Sequence, residues 1–421
     1  MNLTEEKKDC ERAVLVGLSS PALDDFENSD YETLDELEEL LKTAGGECVA
    51  KVLQRKAAPD PATLIGEGKT EEVAALAEAN GADIIIFDND LSPSQLKNLE
   101  KMLKRPVLDR SALILDIFAR RARTSEGRLQ VELAQYRYIL SKLSGLGNSL
   151  SRLGGGIGTR GPGETKLETD RRHIRRRIDR LEEEFERIRR VRGVQREKRV
   201  KSEIPLAAIV GYTNAGKSTL LNTLTGAGIE ANDRLFDTLD PTARKLVIDE
   251  NLTVIFSDTV GFIRKLPHKL VEAFKATLEE LEFADVILHV IDISNPSWES
   301  HIEVVERLIE ELGVASTPRI RVFNKIDIAP EMPPLRGNDV CISAKNGLNL
   351  DKLIDAVRKA VSKPLLNVRV RLDYSEAHLV DAFYREAKVS GLRYEEDAII
   401  LEVSCSEALL GKLKPASYEI L

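Results

Sequence analysis

Eight consecutive residues constrain this chain more than any others: Gly211-Tyr212-Thr213-Asn214-Ala215-Gly216-Lys217-Ser218. They follow the apolar run Leu206-Ala207-Ala208-Ile209-Val210 and precede Thr219-Leu220-Leu221-Asn222, which reads as a helix start. A G-x-x-x-x-G-K-[ST] run between strand and helix is a phosphate-binding loop. Its glycines let backbone N–H groups face an anion at the helix N-terminus. Lys217 is then expected to reach the β- and γ-phosphates, and the Ser218 hydroxyl to ligate Mg²⁺. Such a loop sits in a doubly wound, mostly parallel α/β sheet. Apolar runs at Leu252 to Phe256, Val286 to Ile291 and Ile320 to Phe323 supply further strands, with helical segments between them.

Two more motifs follow in order. Asp258-Thr259-Val260-Gly261 closes the strand that begins at Leu252. An acid there holds Mg²⁺, commonly through water, and the Gly261 N–H is placed to detect a γ-phosphate. Alone, a strand-end Asp more often caps a turn; the phosphate loop upstream changes that reading. Asn324-Lys325-Ile326-Asp327 follows the strand ending at Phe323. Guanine presents N1–H and its 2-amino group as adjacent donors, and one carboxylate, Asp327, accepts both. Adenine has an acceptor at N1, and a site built for hydrogen bonds rejects the mismatch strongly. Asn324 is expected to tie this loop to the phosphate loop, and the Lys325 stem to cover the base. Ser343-Ala344-Lys345, weak alone, is correctly placed to offer a backbone N–H to guanine O6.

The residue after Gly261 is Phe262. Many guanine-nucleotide hydrolases carry there a glutamine that orients the attacking water. Phenylalanine cannot do so, so hydrolysis by the chain alone is expected to be slow and completed by a partner. Lys217 and Mg²⁺ remain to stabilise charge.

At 421 residues the chain exceeds one ordinary core. Its organisation reads as four parts. Residues 1–110 form an α/β subdomain: a strand at Ala13 to Leu18, a helix from Thr33 to Ala44, part of another at Ala74 to Ala79, a strand at Ala82 to Phe87 and a helix from Ser92 to Leu103. Residues 111–201 form helices with heptad-like stripes, Leu129, Leu133, Tyr136, Leu140 and Leu143, then Ile174, Ile178, Leu181, Phe185 and Ile188. With Gly/Ser-rich Gly145 to Gly163 between them, they suggest an antiparallel hairpin, the alternative being two amphipathic helices packing elsewhere. Residues 202–363 form the nucleotide domain. Residues 364–421 form a small α/β appendage, with a strand at Val368 to Leu372, a helix near Ala377 to Ser390 and a strand at Ala398 to Val403.

The formal net charge is −9, but residues 117–201 hold 23 Lys and Arg against 11 Asp and Glu, an excess of 12 that leaves −21 for the rest. This asymmetry suggests a segment that meets phosphates. Arg160, Arg171, Arg172, Arg175, Arg176 and Arg177 are the candidates for RNA contact. The alternative is a solvated helix face, and Glu182 to Glu186 beside Arg187 to Arg190 fits it. No apolar run is long enough for a bilayer span and the N-terminus lacks a signal-peptide pattern, which places the expected site in the cytosol. The four cysteines have no CxxC pair and the five histidines no metal spacing, so neither points to zinc or to disulfides. Gly156-Ile157-Gly158-Thr159-Arg160-Gly161 has dinucleotide-loop spacing but no preceding strand. Gly66-Glu67-Gly68-Lys69-Thr70 mimics the end of a second phosphate loop, yet Thr63 stands where its first glycine belongs, and a turn is expected. His289 reads as a satisfied core residue, and lone Trp298 supports no stacking platform.

With these motifs the chain resembles the HflX family of GTPases, in the Obg/HflX branch of the translation-factor class. The resemblance covers nearly the whole chain. Gly158-Thr159-Arg160-Gly161-Pro162-Gly163-Glu164-Thr165-Lys166-Leu167-Glu168 resembles the family's linker signature, Phe236-Asp237-Thr238-Leu239-Asp240-Pro241-Thr242 its switch I, and Asp258 to Ile263 its switch II. By that match Thr238 ligates Mg²⁺ and senses the γ-phosphate, acting with Lys217 and Gly261 in catalysis. Some GTPases that this chain resembles use an asparagine at the position of Asn214 to hold K⁺ beside the phosphates, and the same is expected here. The resemblance also implies binding of the large ribosomal subunit in the GTP state and splitting of stalled or idle ribosomes under stress, with the helical tip toward the peptidyl-transferase region. A monomer is expected, with no membrane span and peripheral membrane association left open. The competing reading is a GTP-dependent switch whose helices bind another protein without RNA.

Overall fold

The computed structural model describes residues 10–24, 27–144, 162–201, 204–226, 235–236, 242–249, 252–259, 261–265, 281–361, 366–395, 397–405, 410 and 418–420. It divides into two compact units, residues 1–356 and 357–421.

The first unit begins with a four-stranded parallel sheet. Strand β1 (Arg12–Ser19) is wholly apolar in its middle and lies between β2 (Glu47–Arg55) and β3 (Ile84–Phe87), with β4 (Val107–Asp109) outside β3. Helix α1 (Tyr31–Ala44) starts at a capping box of Asp30 and Thr33 and stops at Gly45, which takes the left-handed conformation that glycine adopts without strain. Its stripe of Leu34, Leu37, Leu40 and Leu41 is buried. Helix α2 (Glu67–Ala79) begins at Gly66, so the Gly66-Glu67-Gly68-Lys69 run is a helix start rather than the expected turn. Helix α3 (Pro93–Leu103) is capped by Ser92, as read from the sequence. Helix α4 (Arg110–Arg121) follows β4 directly and packs Leu113, Ile114, Ile117 and Phe118 into the core that holds the α1 leucines.

Helices α5 (Ser125–Ser144) and α6 (Pro162–Lys201) lie side by side. Leu133, Ile178 and Leu181 are buried between them, flanked by Leu129, Tyr136, Leu140 and Ile174, so the two stripes do meet. Arg137 pairs with Glu182 at 2.7 Å and Arg177 with Glu132 at 2.6 Å across the contact. The connection between the helices, and Arg160 with it, lies outside the described residues.

The nucleotide domain is a six-stranded sheet in the order β10-β9-β8-β5-β7-β6. Its strands are β5 (Leu206–Gly211), β6 (Thr242–Asp249), β7 (Leu252–Asp258), β8 (Val286–Asp292), β9 (Arg319–Asn324) and β10 (Val340–Cys341). All neighbours are parallel except the edge strand β6, which runs antiparallel to β7. Central β5 is buried throughout, as a strand covered on both faces must be. Helices α7 (Lys217–Thr225) and α8 (Trp298–Glu311) pack against the sheet, and α9 (Leu350–Val361) follows β10 in the chain. His289 is buried in β8 beside Glu306 at 3.3 Å, a satisfied core histidine.

The second unit contains an antiparallel sheet of residues 366–372, 388–394, 399–405 and 418–420 and a helix, 378–386. The helix expected to run to Ser390 ends at Glu386, and Lys388–Tyr394 is an edge strand. Val368, Val370, Leu372, Leu401 and Val403 alternate inward to form its core.

Candidate nucleotide site

The phosphate loop leaves the C-terminal end of β5 and enters α7. Gly211 must be glycine because a Cβ there would lie 2.2 Å from the Val290 carbonyl oxygen of the neighbouring strand. Gly216 caps α7 at φ +92°, and a Cβ on it would strike Asn324 Nδ2 at 2.4 Å. That space lets Asn324 reach across. Its Nδ2 donates to the Ala215 carbonyl at 2.8 Å, and its Oδ1 accepts from the Ala344 N–H at 2.9 Å. One buried amide thus joins the phosphate loop to the Asn324–Asp327 loop and to Ser343-Ala344-Lys345. Thr223 of α7 also donates to the Ala344 carbonyl at 2.9 Å. Ser343 and Ala344 are buried, whereas Asp327 and Lys345 are exposed. Lys325 pairs with Asp292 at 2.7 Å, which fixes the stem expected over the base.

Lys217 is buried and donates to the carbonyls of Gly211 at 3.1 Å and Tyr212 at 2.9 Å. Burial pushes its amine down to about 8, with Asp258 opposing. Ser218 Oγ donates to Asp258 Oδ2 at 2.7 Å. A hydroxyl and a carboxylate brought together from α7 and β7 are hard oxygen donors of the kind Mg²⁺ takes. Thr259 points the other way, its hydroxyl donating to the Ile209 carbonyl at 2.8 Å. The segment after it lies against the phosphate loop: Thr213 N–H donates to the Phe262 carbonyl at 2.7 Å and Phe262 N–H to the Gly211 carbonyl at 3.1 Å. A Cβ on Gly261 would meet Thr213 Cγ2 at 2.8 Å and Lys217 Nζ at 3.0 Å, so Gly261 closes over the loop. Phe262 is turned into the core. Asn214 takes the left-handed conformation at φ +62°. Thr238, with Asp237, Leu239 and Asp240, and Val260 lie outside the described residues.

The Tyr212 side chain points toward the N-terminal sheet domain. Its hydroxyl donates to Glu36 of α1 at 2.8 Å and accepts from the Arg264 N–H at 2.8 Å. Its ring stacks on His301 with centroids 3.7 Å apart. Burial holds His301 down to about 4, so a neutral ring lies on the phenol at neutral pH. Only the Tyr212 backbone therefore serves the loop; the side chain ties it to the N-terminal sheet domain. Nearby, buried Arg110 pairs with Asp88 at 2.7 Å and Glu36 at 3.1 Å and donates to the Arg264 carbonyl at 3.1 Å. Lys265 pairs with the same Asp88 and donates to Ser29 at 2.9 Å. Burial disfavours the Asp88 charge, but Arg110 and Lys265 outweigh it and hold the carboxyl below its usual range. Phe118 of α4 meets Phe236 edge to face at 4.6 Å. Sequence reading missed this cluster because its partners are up to 236 positions apart, and no local pattern joins them.

Of the arginines proposed for RNA, Arg177 is engaged with Glu132, Arg172 lies 3.7 Å from Glu168, and Arg171 is half-buried. Arg175 and Arg176 are exposed, and no ion pair to either is found among the described residues.

Three family models match the chain: "GTP-binding GTPase N-terminal" over residues 31–119, "GTP-binding GTPase Middle Region" over 121–199 and "50S ribosome-binding GTPase" over 206–325. The GTPase HflX of Caldanaerobacter subterraneus subsp. tengcongensis is 50% identical over 406 residues, covering 96% of this chain and 93% of its own. The GTPase HflX of Escherichia coli K12 is 42% identical over 381 residues, covering 89% of each. Among solved structures, a GTP-binding protein from Sulfolobus solfataricus in complex with GDP has 24% identity and a TM-score of 0.42, covering 83% of this chain and 98% of that one. That likeness is too loose to add to the assignment. Half-identity along almost the full length, joined to a phosphate loop locked by Asn324 to the loop that follows β9, establishes that the chain belongs to the HflX family of GTPases.

Proposed function

We propose that this GTPase binds the large ribosomal subunit in its GTP state and releases it after hydrolysis, separating stalled or idle ribosomes. The observation that carries the proposal is the join between a basic helical segment and a guanine-nucleotide site within one unit. The description of its nucleotide domain as ribosome-binding and the exposed Arg175 and Arg176 support it.

Within the site, Asp327 accepts N1–H and the 2-amino group of guanine, and the Ser343-Ala344-Lys345 loop offers a backbone N–H to O6 other than that of Ala344, which Asn324 already holds. Lys217 exchanges its two carbonyl partners for phosphate oxygens. Ser218 and Asp258, with Thr238, would hold Mg²⁺, which would neutralise phosphate charge. Asn214 is the residue on which K⁺ dependence rests; equal rates in KCl and NaCl would remove it. A GTP-state preference for the ribosome requires differential affinity, because equal binding to both states shifts nothing.

The test is cosedimentation with purified large subunits. Wild type with a non-hydrolysable GTP analogue is expected in the pellet, and wild type with GDP or Lys217→Ala with either is not. Equal pelleting with GTP analogue and GDP would refute the switch. No pelleting at low salt would refute ribosome binding and favour a protein partner.

A further inference from the structure

Phe262 leaves the site without the usual side chain for the attacking water, and among the described residues Thr213, hydrogen-bonded to Phe262 through its backbone, carries an unpaired hydroxyl. Thr213 is the second residue after Gly211. Its backbone is tied to Phe262 by the 2.7 Å hydrogen bond, and its Cγ2 approaches the point above Gly261 that Lys217 Nζ also approaches. Thr213 is 7% exposed, yet its Oγ1 has no hydrogen-bond partner among the described residues. Buried hydroxyls are nearly always paired, and a valine would fill the same shape without that penalty. With its methyl turned toward Gly261, the side chain carries its unpaired hydroxyl on the other branch, inside the phosphate loop.

We propose that Thr213 is a catalytic residue of this GTPase, its hydroxyl donating to a γ-phosphate oxygen and accepting from the attacking water. One hydroxyl can do both, having one proton and two lone pairs. In the step it serves, the water oxygen bonds to the γ-phosphorus as the bond to the β–γ bridging oxygen breaks. GDP leaves with that electron pair, and the water's proton passes to the released inorganic phosphate. Thr213 is unchanged at the end. The inference rests on the phosphate site lying where Lys217 and Gly261 meet, and it is independent of any ribosome partner.

The experiment compares wild type, Thr213→Val and Thr213→Ser in single-turnover GTP hydrolysis, and in equilibrium binding of GDP and a non-hydrolysable GTP analogue. Thr213→Val is expected to keep GDP affinity within about twofold, to bind the analogue several-fold more weakly, and to hydrolyse roughly 10²-fold more slowly, the scale of one lost transition-state donor. Thr213→Ser, which keeps the oxygen, is expected to stay near wild type. Thr213→Ala gives the same comparison if valine disturbs the loop. Wild-type rate and analogue affinity in Thr213→Val and Thr213→Ala would overturn the proposal. So would an equal loss of GDP and analogue binding, which marks a structural role. Absent GDP binding by the wild type would instead overturn the site itself.

Discussion

Asn324 shows how much one side chain can hold. Its amide satisfies the Ala215 carbonyl and the Ala344 N–H together, so the base-reading loops are fixed relative to the phosphate loop. Asp327 is exposed at the mouth of this arrangement and is expected to choose the base. Asp327→Asn should lose at least about 10²-fold of the preference for GDP over ADP in calorimetry, because a donor replaces one acceptor. An unchanged preference would refute the role. Lys217 carries a pH prediction. Its amine titrates near 8 in the free protein, and phosphates raise that value on binding. Binding then takes up a proton above pH 8. GDP affinity should be level below that pH and fall by up to about tenfold per unit above it. A flat profile from pH 7 to 9.5 would show that Lys217 does not meet the phosphates.

The helices α5 and α6 depend on a narrow apolar seam with charged flanks. Leu181 is fully buried in that seam. Leu181→Ala is expected to cost about 2–4 kcal/mol in denaturant unfolding of the intact chain, from lost burial and the cavity left behind. The outer face carries the proposed ribosome contact. Replacing exposed Arg175 and Arg176 by Gln should lower the salt slope of ribosome binding by about 1–2, with nucleotide affinity unchanged. An unchanged slope would assign these arginines to the solvated face.

Across the first unit, the phosphate loop and the residues after Gly261 share buried charges with the N-terminal sheet domain. Arg110 is the centre, facing Asp88, Glu36 and the Arg264 carbonyl. Arg110→Ala would leave the buried Asp88 carboxylate with Lys265 as its cation and strip half-buried Glu36 of its arginine. It is expected to destabilise the chain by about 3–5 kcal/mol, read by denaturant unfolding. A loss under about 1 kcal/mol would mean that water replaces the guanidinium.

The nucleotide motifs were legible because each is a contiguous run whose chemistry is local: glycines for a tight turn, a lysine and serine at a helix start, an acid at a strand end. Strands β1, β5 and β8 were legible because burial on both faces leaves a continuous apolar run. The edge strands β2 and β6 and residues 388–394 were not, since one side faces water and their polar residues blur the alternation. The tertiary structure alone decided that the Tyr212 side chain meets Glu36 and His301, that Asn324 makes its second bond to Ala344, and that Arg177 is spent on Glu132. The physical reason is that covalent order fixes short-range geometry, while a hydrogen bond or ion pair between distant residues exists only once packing has brought its two ends together.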